Sequence, residues 1–159
     1  MGKYEWLLFL HVTGAFLFLG ALVIAIVLGV TAQRRERPSE IALLFRLTGR
    51  LAVPFGVGFA LLLIFGLWLV HVAGHSFRDA WVIASLTLFL LSNALGAVAG
   101  PRDKATRVLA EQFAAEGDQP SPALRARLRD PVTLALGNAS ALTALAVLVL
   151  MIWKPGGAG

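Results

Sequence analysis

Cysteine is absent from this chain of 159 residues, which removes disulfide frameworks, cysteine-based zinc sites, iron–sulfur clusters and thiol chemistry. Charge is scarce as well: Asp, Glu, Lys and Arg make up 14% of the sequence, against roughly 25% in soluble domains. No charged residue falls in the deep part of any long apolar run. That argues against a proton-coupled transporter and takes away the paired acids of general acid–base hydrolysis. What is present is apolar, at 58% before the 16 glycines are added. A soluble domain of this size could not hide so much apolar surface, and a disordered chain would not carry it.

Four uncharged runs divide the chain, at 6–31, 51–77, 80–101 and 131–153. Each reaches the roughly 20 apolar residues that cross a bilayer, and chain in lipid must satisfy its backbone internally, so each is expected to be a helix. The first run is read as a span, because its apolar stretch is about twice the h-region of a signal peptide. The fold class that follows is an all-α, integral membrane four-helix bundle. It forms a single domain over 1–159, with spans at about 4–31, 51–75, 80–100 and 131–153.

The connectors hold nearly all the charge. Residues 32–50 carry five arginines against Glu36 and Glu40, and residues 102–130 carry six basic side chains against five acidic ones. Lys3, Arg78 and Lys154 alone lie elsewhere, so eleven of the fourteen Lys and Arg share one side of the membrane. The positive-inside rule makes that side cytoplasmic, with both termini and the loop at 74–80 outside and the cell membrane as location. Trp6, Trp68, Trp81 and Trp153 then all fall near the outer interface, where indoles prefer to sit. Topology thus explains the basic pI without a nucleic-acid partner. The lipid bilayer is the expected partner, its anionic headgroups are a use for the surplus charge, and a second copy or a larger membrane complex is the candidate protein partner.

The inner connectors read as amphipathic helices on the cytoplasmic side. Arg37-Pro38-Ser39-Glu40 before Ile41, Leu44 and Phe45 marks a helix start, followed by a bend near Pro54 on entry to span two. Residues 102–115 read as a second such helix, broken at 116–120, and Asp130-Pro131 restarts the chain as span four.

Polar groups inside the spans are few, and each is informative. His11 lies about 10 Å below Tyr4 and His71 about 5 Å below Gly74, at about 1.5 Å per helical residue. Both are therefore expected in the outer half of the bilayer, with His75 sharing a face with His71 if the helix continues. Two uses are open to this pair: hydrogen-bonded contact between helices, or ligation of a cofactor. Gly14 extends the His11 face with Ala21, Ala25 and Gly29, either for close helix packing or to clear space for a flat cofactor. Ser92, Gly96 and Gly100 form a similar stripe that could meet another chain. Asn93 and Asn138 are expected to bond each other or nearby backbone, and other Ser and Thr to bond their own helix.

Leu10-His11-Val12 followed by Gly14 and Gly20, together with a second span ending Trp68-Leu69-Val70-His71, resembles a family of short predicted integral membrane proteins of unknown function. That family is distantly similar to the CopD copper-resistance membrane domain and to HemJ-type protoporphyrinogen oxidases. The resemblance implies haem b bound by a span-one histidine, a position that His11 matches.

Haem iron takes axial histidines, and bundles place them on facing helices around a core slot. His11 and His71 are accordingly expected as axial (metal) ligands, Gly14 beside the porphyrin edge, and Arg78 with His75 at the propionates. A three-histidine metal site including His75 is the variant. The functional expectation is haem or metal binding in electron transfer or porphyrin chemistry, and the alternative is a non-catalytic accessory or scaffold subunit.

Overall fold

The computed structural model describes residues 2–155; residue 1 and residues 156–159, part of the single domain read from the sequence, lie outside the described residues. Six helices follow one another: α1 (Lys3–Gln33), α2 (Pro38–Arg50), α3 (Ala52–Val72), α4 (Ala80–Ala115), α5 (Pro122–Leu128) and α6 (Pro131–Trp153). No strand occurs among the described residues. Four stretches, containing α1, α3, α4 and α6, are long and apolar enough to cross a membrane. Their outward faces carry Phe16 at 77% exposure and Val53 at 72%, a cost in water that lipid removes. This is a multi-pass integral membrane bundle.

The bundle is built as two helix pairs. α1 packs on α3 through glycine, since a Cβ at Gly14 would lie 2.7 Å from Leu61 Cβ and one at Gly58 2.6 Å from the Phe18 nitrogen. α6 is tied to α4 by reciprocal bonds: Ser92 Oγ donates to the Ser140 carbonyl at 3.0 Å, and Ser140 Oγ donates to the Ser92 carbonyl at 3.2 Å. Interhelical hydroxyl pairs of this kind substitute for the hydrophobic drive that lipid removes. The two pairs meet at a phenylalanine cluster. Phe18 on α1 lies 4.4 Å from Phe55 and 5.4 Å from Phe89, and Phe59 stacks on Phe89 at 5.2 Å.

The two ends differ in character. At one, Lys3 lies over Trp68 and Lys154 over Trp81, which brings both ends of the chain beside the α3–α4 loop. This is the termini end. At the other, the basic end, α2, the last turns of α4 and α5 enclose a second small core of Ala32, Ile41, Ala42, Ala110, Leu124 and Leu128. Asp118 accepts from the Ser39 N–H and Oγ, both at 2.7 Å, and so pins the start of α2 to the turn after α4.

Three boundaries differ from the sequence expectation. The helix of the third span does not stop near 100: α4 runs unbroken through Pro101 to Ala115, so 102–115 is its extension and not a separate helix. The break before α3 falls at Leu51, while Pro54 sits in the first turn of α3, where a missing N–H costs nothing. α5 was not expected, although Ser121 as N-cap and Pro122 at the first helical position are ordinary start signals.

Candidate functional site

Between the two pairs, on the termini side of the phenylalanine cluster, lies an apolar slot of about 330 Å³. Leu62, Gly66 and Val70 of α3, Phe89 of α4 and Val147 of α6 supply much of its wall. Three side chains bring polar atoms to it: His11 from α1, and Trp81 and Ser85 from α4. Among the described residues, four buried side-chain nitrogen or oxygen atoms have no hydrogen-bond partner, and three of them are His11 Nδ1, Trp81 Nε1 and Ser85 Oγ. A buried polar atom left unpaired costs about 1–3 kcal/mol. All three belong to side chains that line the slot.

Each polar group is placed by an identifiable local cause. Gly66 makes room for the imidazole, since a Cβ there would lie 3.0 Å from His11 Cε1 and 3.1 Å from Nδ1. Nδ1 is turned toward α3, with the Leu62 backbone as the acceptor within reach, but no hydrogen bond of good geometry forms. Trp81 is held from both sides, by Lys154 at 5.6 Å and by the His75 ring edge-on at 5.2 Å. Ser85 follows Trp81 by one helical turn, which keeps both on one face of α4.

The residues expected as a site are not all brought together. His71 is exposed and does not line the slot. It follows the slot-lining Val70 by one residue, a rotation of about 100° around the helix. The pairing of His11 with His71 as two axial ligands is therefore not what the slot presents. His71 and His75 do not share a helical face either. α3 ends at Val72, Gly74 adopts φ +74°, and the His75 N–H closes the helix end on the Val70 carbonyl at 3.0 Å, a Schellman cap. No group of three or more metal-ligating side chains forms among the described residues, which sets aside the three-histidine variant. His75 Nδ1 instead lies 3.9 Å from Asp79 Oδ2. Arg78 is exposed in the same loop.

Gly14 serves the α1–α3 contact and so leaves no gap for a porphyrin edge. Trp81 and Ser85 were missed as site residues because, in sequence, one reads as an interface anchor and the other as a self-bonded hydroxyl. The polar groups expected to bond their own helices mostly do so. Thr13 donates to the Phe9 carbonyl, Thr143 to the Ala139 carbonyl, and Asn93 to the Phe89 carbonyl at 2.7 Å. Asn138 is exposed and takes no part in a pair with Asn93. Ser92 faces α6 inside its own pair, so the Ser92, Gly96 and Gly100 stripe is not one continuous outward face.

A family model described as a predicted integral membrane protein, DUF2269, matches residues 5–155. No curated protein and no solved structure matches the chain.

Proposed function

We propose that this chain, which belongs to the DUF2269 family of predicted integral membrane proteins, holds haem b in the slot between its helix pairs, with His11 as the one axial ligand from the protein. The observation that carries the reading is an apolar cavity between the helix pairs, lined by the His11 imidazole and by Trp81 and Ser85, whose buried Nε1 and Oγ have no partner. The slot lies within the 300–1,000 Å³ typical of ligand pockets, at its lower end.

The residues suit the group in kind. An imidazole protonated on Nδ1 would offer the Nε2 lone pair as a ligand. Apolar walls from α3, α4 and α6 would keep water out, and Trp81 and Ser85 stand on the wall opposite α1. Arg78 and His75, in the loop at the termini end, are the charged or protonatable groups assigned to the propionates. Bound haem supplies one-electron chemistry. The protein's part is to hold it, keep it dry and set which face is open.

The proposal places the termini end on the non-cytoplasmic side of the cell membrane, because eleven of fourteen Lys and Arg lie at the opposite end or its connectors. The test is the visible spectrum of the purified chain supplied with haemin. A Soret band that saturates at one haem per chain supports the reading. A spectrum that stays that of haemin in detergent without protein removes it and leaves the accessory-subunit alternative.

A further inference from the structure

On the basic side of the phenylalanine cluster, a second cavity of about 550 Å³ opens between α1, α2 and α3 on one wall and α4 on the other. Leu22 and Phe55 form apolar wall, and Gly96 and Gly100 leave the α4 wall open, with nothing within 4 Å of where their Cβ atoms would stand. Lys104 and Arg107 line it as well, with Asp103, Asn93 and Thr48 as further polar side chains. Arg107 Nε is the fourth buried polar atom without a hydrogen-bond partner. Its one anionic neighbour, Glu111, stands 4.0 Å away and accepts from Arg46 at 3.1 Å. The Arg107 guanidinium also reaches over α2, with Nη1 3.5 Å from where a Gly49 Cβ would lie.

From these features we infer that the groove is a binding site for an anionic phospholipid of the leaflet at the basic end. One acyl chain lies along Leu22, Phe55, Gly96 and Gly100, and the phosphate oxygens are met by Lys104 and Arg107. Each half of the groove argues for half of the ligand. Apolar depth alone would take any lipid tail, and two cations lining a membrane groove select an anionic head. A phosphate oxygen gives the stranded Arg107 Nε the acceptor that Glu111 is too far away to be. Asp103 opposes the phosphate, which makes it a useful control. The inference is independent of the haem reading, because the phenylalanine cluster separates the two cavities and they share no lining residue.

The full chain, washed free of co-purified lipid in detergent, is titrated with phosphatidylglycerol and, separately, with phosphatidylcholine of the same acyl chains, and bound lipid is counted by native mass spectrometry. One phosphatidylglycerol should saturate each chain and bind more tightly than phosphatidylcholine. Lys104→Gln and Arg107→Gln should each weaken phosphatidylglycerol about fivefold, the worth of one basic residue near a membrane surface, and weaken phosphatidylcholine, whose phosphate is offset by its choline cation, less. Gly96→Leu, which fills the groove, should weaken both lipids. Asp103→Asn adds no bulk and should tighten phosphatidylglycerol, which keeps the test intact if Arg107→Gln does not fold. Equal binding of the two lipids, displacement by millimolar inorganic phosphate, or unchanged binding in Gly96→Leu and Asp103→Asn would each overturn the inference.

Discussion

At Gly14 an added Cβ would meet Leu61 Cβ at 2.7 Å and the Leu62 nitrogen at 2.9 Å, and at Gly58 it would meet the Phe18 nitrogen at 2.6 Å. Backbone cannot move aside as a flexible side chain can, so these two glycines set the α1–α3 separation. Overpacking of this kind costs about 1–3 kcal/mol. Gly58→Ala is therefore expected to lower the detergent unfolding midpoint, while Gly20→Ala, at a position with nothing within 4 Å, leaves it unchanged or raises it slightly. Equal midpoints would mean that the two helices are free to move apart. The same close approach decides the use of His11. With α1 held tightly on α3, the imidazole fits only because position 66 has no side chain.

Helix existence was legible from the uncharged runs, and helix ends where a capping residue spelled them out. Pro38 and Asp130 both stand where the sequence places a start, with Asp130 accepting from the Thr133 N–H at 3.0 Å. What misled was proline inside α4. The uncharged run stops at Pro101, yet packing of residues 102–115 against α2 and α5 carries the helix through it. Of the two span histidines singled out in the sequence, His11 lines the slot and His71 does not. The rotation that turns His71 outward depends on which face of α3 meets α1, and Gly14 with Gly58 settles that only in three dimensions.

The contact between α2 and the turn after α4 carries a pH dependence. The hydroxyl of Ser39, then its N–H, hold the Asp118 carboxyl below its ordinary range. A lowered carboxylate pKa contributes stability that is present above the unfolded value, about 4, and is lost as pH falls through the folded value. Acidification below about pH 4 should therefore lower the amide protection factors at the start of α2, and Asp118→Asn should show that lower protection already at pH 7. Exchange in the variant equal to the parent's would show that Asp118 does not hold this end.

On the scale of the whole molecule, the described chain is two helix pairs closed by a phenylalanine cluster, with the histidine slot on its termini side and the lysine–arginine groove on its basic side. Single cysteines at Ser39, Ser76 and Ser121 test the orientation that the charge bias predicts. An impermeant reagent should label only position 76 in intact cells, and labelling at 39 or 121 would reverse the assignment. The central claim is that the slot at the termini end holds haem through His11 alone. It is tested most directly by haemin titration of the purified chain beside His11→Ala and His71→Ala, read at the Soret band. The account predicts that His11→Ala abolishes or shifts the band while His71→Ala binds haem with the parental spectrum. An unaltered spectrum in His11→Ala, or loss of the band in His71→Ala, would contradict it.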